Sequence, residues 1–524
     1  MAAGEWPRGA QQEADGEISV AGVRLSLLVA AYGTPTLVLD EDDVRYRCRT
    51  CVAALPGTEI AYAGEAFLCR AMAHWVAAEG LSLAVSSAGE LAVAQAVNFP
   101  AERIILHGNA KTPADLRAAL RYGVDRIVVE STSEIIRLAA LTPRLQRVLI
   151  QVAPDVDAHG YPARLDGGEN QESGFSLRSG AAGDAVRRVL THPELTLTGL
   201  RCHLAVQPAE LSAVDMAVRE LLGLTAAVRE HTGVTLTELN LGGGHVVPHG
   251  PGEDEVGLVN FADRMRRLVA SECDQLRLPA PHLVIEPGRA IVNRAMISLY
   301  RVLAVRHSPA GRALVTVDGP MGDYPFPGPY GGGHLVHAVR PSNAPCEPAT
   351  VVGRHSEEGY LLGNDSSLPA DLRPGDVIAV PSTGAYNHSM ASDHDLAGRP
   401  PVIAVSNGES RILIRKETPS DLLIRDIGLL KGEFGAPYAL RSSADKRRWL
   451  FHAADRTARV RGADRHGVHL QGGALVHARL HAAVGQPRRP VPTGHAGAAR
   501  HPAPADRSAT ARPARHRRHP ASGT

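Results

Sequence analysis

Lysine is nearly absent from this chain. Of 56 basic residues in 524, only Lys111, Lys416, Lys431 and Lys446 are lysines, and the other 52 are arginines. An arginine bias of this kind reads as codon composition rather than as a nucleic-acid footprint, because basic and aromatic residues are not interleaved. Cysteine is scarce as well. Six in the whole chain make no disulfide framework, which fits a reducing compartment. Aromatic residues supply only 4%, while 52 glycines and 37 prolines imply many loops between short elements. No apolar run approaches the length of a membrane span. The first residues carry Glu5, Glu13, Asp15 and Glu17 and lack the basic-then-apolar order of a signal peptide, so a cytoplasmic location is expected.

The composition, 44% hydrophobic and 21% charged, is that of a globular protein long enough for two or three domains. The net charge of +1 hides an asymmetry. Residues 441–524 hold sixteen Arg and one Lys against four Asp and no Glu, a net of +13, leaving −12 on the rest. That tail is rich in Ala, Arg, His and Pro without a sustained period, and disorder is expected over 429–524.

Between residues 58 and 290, short β-branched runs alternate with helix-period segments. The predicted strands are Thr58–Ala63, Ser82–Val85, Arg103–His107, Arg126–Glu130, Arg147–Ala153, Thr198–His203, Glu238–Leu241 and His282–Glu286. Eight strands alternating with helices such as Pro113–Tyr122 and Ala209–His231 predict a (β/α)8 barrel over 45–297. From 298 to 428 the texture becomes alternating stretches separated by Gly, Pro, Asn and Asp, which predicts an antiparallel β domain. Segments near Ile18–Leu25 and Thr36–Leu39, within 1–44, are expected to lend strands to it, and a last helix is expected over Pro419–Ile427.

A barrel places chemistry at the C-terminal ends of its strands. The residues found there are Glu65, Ser87, His107, His203, Gly242–Gly244 and Glu286. Glycines at a strand end suit either a tight turn or a phosphate approached by backbone N–H groups. Glu286 and Arg289 suit either a structural ion pair or recognition of a carboxylate or phosphate. Cys48-Arg-Thr-Cys51 lacks a second cysteine pair, and Pro248 disfavours a helix under His245 and His249, so no metal centre is expected.

The ordered series Tyr62-Ala-Gly-Glu-Ala-Phe67, Glu79-Gly-Leu81, Ser87-Ala-Gly-Glu-Leu91, His107-Gly-Asn-Ala-Lys111, Gly242–Gly244, Glu286–Arg289, His355-Ser-Glu357 and Thr383-Gly-Ala-Tyr386 resembles the diaminopimelate decarboxylases. The resemblance runs from about residue 20 to 428. It implies the alanine-racemase-like fold type III, pyridoxal phosphate (PLP) as cofactor, an amino-acid substrate, a place in lysine biosynthesis and a homodimer with shared active sites. It further implies PLP contacts from Gly242, Gly243, Gly244, Glu286, Gly288, Arg289 and Tyr386, with His203 stacked on the ring. Substrate contacts would come from Arg289, Tyr330, Glu357 and Tyr386, and Ser356-Glu357 would reach in from the partner subunit.

The departures are as specific as the matches. Where the family carries its Schiff-base lysine, in Tyr-Ala-x-Lys-Ala, this chain has Glu65. The family's Gly-Ser after the stacking histidine reads Ala205-Val206, its cysteine beside Glu357 is Ser356, and its Asp-Asn-x-Arg segment reads Asp323-Tyr-Pro-Phe326. A carboxylate forms no imine, and the only lysine in the predicted barrel is Lys111. Three functional readings follow. One is a repurposed enzyme on an amino-acid-like substrate, with Glu65 in acid–base work and His203, Ser356 and Glu357 in the catalytic set. The second is a non-catalytic dimer partner or an amino-acid or PLP binder. The third is a residual decarboxylase using free PLP.

Overall fold

The computed structural model describes residues 5–154, 174–203, 211–243, 256–309, 311–319, 335–355 and 361–426. Eight parallel strands close on one another in the order Glu59–Ala63, Ser82–Val85, Ile104–Leu106, Arg126–Val129, Gln146–Ala153, Leu195–Arg201, Glu238–Asn240 and His282–Ile285, the last pairing back to the first. Each strand is a run of apolar and β-branched residues with almost every position buried, as expected where helices cover the outside and side chains fill the inside. All eight predicted strands are present. Pro113–Tyr122 is a helix with the predicted bounds, opened by a Thr112/Asp115 capping box.

The barrel interior is stacked in layers of contrasting polarity. At the N-terminal end, Arg126 bridges Glu59 and Glu238 at 2.6–2.9 Å, and His282 meets Glu59 at 3.0 Å. Burial opposes the Glu59 charge, but hydrogen bonds from His282 and Arg126 and the Arg126 charge outweigh it and hold the carboxyl far below the ordinary range. Above this lies an apolar layer of Ala61, Ala84, Ile105, Val128, Leu149 and Val284. A second polar layer, with Gln151, Arg201, Asn240 and Glu286, closes the C-terminal end.

The second sheet is mixed rather than antiparallel. Its main path runs 361–369, 346–352, 313–317, 296–307, 36–40, 402–406, 409–414. Thr36–Asp40 lies parallel to Val402–Ser406, and Ala313–Val317 parallel to Cys346–Val352. The alternating texture was right for strands, but direction is fixed by connection, and only a hairpin enforces an antiparallel pair. Thr36–Asp40 enters the sheet before the barrel is built, and its parallel neighbour returns only after it. Ile18–Leu25, expected as one strand of this domain, is instead a hairpin of Ile18–Val20 and Val23–Arg24 that forms a separate three-stranded sheet with Ala10–Gln12. Leu25 already belongs to a helix, Leu25–Tyr32. The last helix is shorter than expected, Pro419–Leu423. The predicted disordered tail, 429–524, lies outside the described residues.

No helix among the described residues is long and apolar enough to cross a membrane. Cys48 and Cys51 are buried in the main core, where burial pushes both thiols up to about 12, so the pair packs as small apolar side chains.

Arg126 is the one side chain that bridges Glu59 and Glu238, with His282 and Arg147 each assisting at a single carboxylate, so the lower layer depends on it most. Arg126→Met is expected to lower unfolding free energy by about 3–5 kcal/mol in urea titrations. Arg126→Met combined with Glu238→Gln and Glu59→Gln should recover most of that loss.

Candidate active site at the barrel mouth

Three segments that are far apart in sequence converge at the C-terminal end of the barrel. The first is the turn Gly64–Ala66, which leaves the first strand and carries Glu65. The fully buried Tyr62 braces it by donating its hydroxyl to the Phe67 carbonyl at 2.7 Å. The second is Glu286–Arg289, where Gly288 caps the short helix Arg289–Val292. The third is Thr383–Ser389 from beyond the barrel, which lies across both. Gly384 passes so close to the Val292 carbonyl that a Cβ would sit 1.8 Å from its oxygen, and no other residue type fits there. Tyr386 N–H then donates to the Ala66 carbonyl at 2.9 Å.

Tyr386 adopts φ +63, a costly backbone for a bulky side chain. That conformation is held from both ends, because its hydroxyl donates to Glu65 Oε1 at 2.9 Å. The Arg289 guanidinium lies 4.8 Å from the centre of the Tyr386 ring. Burial and the Glu65 charge raise the tyrosine's pKa, so the phenol keeps its proton and remains a donor.

Glu90 adds a second carboxylate beside Glu65. It accepts from Ser86 N–H at 2.7 Å at the end of the second strand. Burial, and then the Glu65 charge, raise its pKa above the ordinary range. Two carboxylates in one pocket, one of them inclined to hold its proton, is the arrangement that acid–base chemistry uses. Glu90 sits within Ser87–Leu91 and enters the sequence reading only through that segment's resemblance, and Ser87 caps the helix that carries it.

The floor of the pocket is a buried network. Arg201 donates Nε–H to Glu286 Oε1 at 3.0 Å, a second fork hydrogen bond to Oε2, and Nη1–H to Gln151 at 2.7 Å. Asn240 Nδ2 donates to Glu286 Oε1 at 2.8 Å, and its Oδ1 accepts from Gly242 N–H at 2.9 Å. Burial opposes the charge on Glu286, but the Arg201 charge and its hydrogen bonds prevail and hold its carboxyl down at about 2. Arg201 escaped the sequence reading because nothing in the spacing of an inward strand residue announces a partner on another strand.

The glycines after the seventh strand are explained by close packing. A Cβ on Gly242 would lie 2.5 Å from the Cys202 oxygen, and one on Gly243 would lie 2.4 Å from the Glu286 oxygen. His203 is exposed at the mouth, next to the buried His107. His388 presents an edge-on contact to Phe67 at 5.8 Å, and burial lowers its pKa to about 4. Lys111, the barrel's lysine, is 3% exposed and closed in a 3.0 Å ion pair with Glu134, with a further 2.8 Å hydrogen bond to the Gly108 carbonyl. Gly244, His245, His249, Tyr330, Ser356 and Glu357 lie outside the described residues, as do Ala205-Val206 and 323–326.

Residues 41–293 match the family described as pyridoxal-dependent decarboxylase, pyridoxal binding domain. A diaminopimelate decarboxylase of Actinosynnema pretiosum subsp. auranticum is 49% identical over 424 residues, covering 81% of this chain and 95% of that protein. The chain belongs to the diaminopimelate decarboxylase family. The Mycobacterium tuberculosis diaminopimelate decarboxylase is 40% identical over 440 residues, covering 82% of this chain and 98% of that one. Among solved structures, diaminopimelate decarboxylase from M. jannaschii in co-complex with L-lysine aligns with a TM-score of 0.75 at 26% identity, over 80% of this chain and 98% of that one.

Within this family member, outside the barrel, one further group is brought together that no sequence spacing could flag. His355 Nδ1 stands 3.5 Å from Asp395 Oδ2, and His394 Nε2 stands 3.9 Å from Asp395 Oδ1, with His394 and Asp395 both exposed.

The buried His107 gives the mouth a pH signature. Burial and then the Arg201 charge lower its pKa to about 3, so native His107 stays neutral while unfolded His107 is protonated below about 6.5. Between those values the unfolded state binds the extra proton, and stability falls as pH falls. Urea midpoints measured from about pH 7 down to pH 4 should decline in the wild type, and His107→Gln should flatten the decline.

Proposed function

We propose that this protein is a diaminopimelate-decarboxylase-family enzyme that acts on an amino-acid-like substrate without a lysine-bound pyridoxal. Glu65 takes an acid–base and ammonium-binding role where the family places its imine. The observation that carries the proposal is the Tyr386 hydroxyl donated to Glu65 at 2.9 Å, which fixes one carboxylate oxygen and aims the group into the mouth of the barrel.

The residues present do not fit a pyridoxal held through a lysine imine. Lys111, the one lysine between residues 41 and 293, is bound within the 3.0 Å pair with Glu134. Withdrawing it would leave a buried carboxylate uncompensated, a cost of about 3–5 kcal/mol. Tyr386 is committed to Glu65, and Glu286 to Arg201 and Asn240. Gly242 and Gly243 are accounted for by their neighbours' carbonyls.

The charge pattern of the mouth suits a zwitterion. Glu65 is a natural partner for an α-ammonium group, and the Arg289 guanidinium beside Tyr386 for a carboxylate. Tyr386 holds Glu65 Oε1, so Oε2 is the atom at which a proton is exchanged, and Glu90 is the neighbouring reservoir of one. His203 stands at the same mouth. Ser356 and Glu357 would complete the site from a partner subunit, so a homodimer of about twice 55.5 kDa belongs to the proposal. A non-catalytic amino-acid binder would use the same Glu65 and Arg289 contacts and is separated from the enzyme by turnover alone.

PLP titration by absorbance and calorimetry tests the reading. Wild type is expected to form no imine band, with or without meso-diaminopimelate or lysine, whereas Glu65→Lys gains one. Tight binding by wild type would sink it. In substrate screens over amino acids, Glu65→Gln should reduce turnover by at least about a hundredfold, and Tyr386→Phe by a smaller factor. Turnover that survives Glu65→Gln removes the acid–base role, and binding without turnover leaves the amino-acid-binder reading.

A further inference from the structure

Arg201 and Glu286 make the floor of this pocket electrically complete before any ligand arrives. Both side chains are buried, at 4% and 2% exposure, and the guanidinium fork engages both carboxylate oxygens. Oε1 receives a second donor from Asn240. Gln151 takes Nη1 of the same arginine, so the guanidinium is tied to the fifth strand as well as to the eighth. A carboxylate in this position, left alone, is a strong acceptor for a cationic N–H, and its family assignment is to a protonated ring nitrogen. With a guanidinium already seated on it, its charge is cancelled and a second cation would meet Arg201 head-on.

We infer that Arg201 is a specificity-determining residue that acts through Glu286, making the pocket floor indifferent to a ring nitrogen and hostile to a protonated one. The floor therefore accepts a neutral or anionic group, and the departure from pyridoxal chemistry is built in at two separate places, Glu65 on the wall and Arg201 beneath. This rests on the reading of a pocket without an imine, and deepens it. A single reversion at Glu65 restores the imine but leaves the floor closed.

The test compares PLP with its carbocyclic analogue, in which C–H replaces the ring nitrogen, on full-length protein. Imine absorbance is read for Glu65→Lys and for Glu65→Lys combined with Arg201→Gln. Glu65→Lys should bind the two compounds within about threefold of each other, because the Arg201 guanidinium cancels the Glu286 charge and repels a protonated nitrogen. The double variant should prefer PLP by about tenfold or more, since Glu286 is released, and its imine band should respond to the ring nitrogen's protonation. A PLP preference of about tenfold in Glu65→Lys itself overturns the inference, as does a double variant with no preference, or binding by neither variant. Should Arg201→Gln fail to fold, the ratio in Glu65→Lys alone decides. The wild-type titration judges the imine-free reading independently: PLP binding there would defeat that reading while the nitrogen ratio still reports on Arg201.

Discussion

A guanidinium inside a closed barrel must be answered by a carboxylate, and in this protein that requirement organises the mouth. Arg201 points inward from the sixth strand because inward and outward positions alternate, and its charge cannot stay there unpaired. Glu286, two strands away, supplies the counter-charge, Asn240 and Gln151 add further hydrogen bonds to the pair, and Gly242 anchors Asn240 in turn. The result is a rigid polar plate spanning four strand ends. Its position above the apolar layer of Ala61, Ile105, Leu149 and Val284 means that no water-filled space below relieves it. The lower Arg126 layer follows the same logic at the opposite end, where it serves stability.

The wall of the pocket obeys a related constraint. A glutamate placed where an amine is expected brings a negative charge next to Glu90, and the pair is eased because Tyr386 donates to Glu65 while Ser86 N–H donates to Glu90, whose pKa burial raises. The strained backbone of Tyr386 is the structural cost of delivering that hydroxyl. It is sustained by the Ala66 carbonyl and by the close seating of Gly384 on Val292. Glu65 is thereby supported by a network that reaches from the first barrel strand to the segment joining two strands of the mixed sheet, Val377–Val380 and Val402–Ser406.

The sequence made the barrel legible because each strand is short, apolar and bounded by polar turns, and because Pro113–Tyr122 carries its own start and stop signals. It made legible which residues would gather at the mouth, since strand ends are fixed once strands are. Strand direction in the mixed sheet was not legible: alternation reports a buried face and says nothing of the connection that sets parallel or antiparallel. The hairpin at Ile18–Arg24 was missed for a similar reason, since a three-residue strand, a two-residue strand and their turn share the alternation of one longer strand. Partnerships were the least visible. Arg201 with Glu286, Lys111 with Glu134, and Tyr386 with Glu65 are separated by 85, 23 and 321 positions, and no local pattern encodes them.

Those partnerships underlie the proposal that close kinship and altered chemistry coexist in one chain. Identity of 49% to a diaminopimelate decarboxylase extends over 424 residues, and burial of strand and helix faces keeps the barrel folded. Pyridoxal chemistry rests on far fewer atoms: an amine, a carboxylate open to a ring nitrogen, and donors for a phosphate. Replacing the amine with Glu65 redirects Tyr386, which would otherwise point its hydroxyl to a ligand. Occupying the carboxylate with Arg201 removes the anchor on the opposite side. Neither change disturbs a core residue, so the fold registers almost nothing while the pocket's charge pattern is inverted at both ends. A zwitterionic amino acid is the ligand class that this inverted pattern still complements, through Glu65 at one terminus and Arg289 at the other.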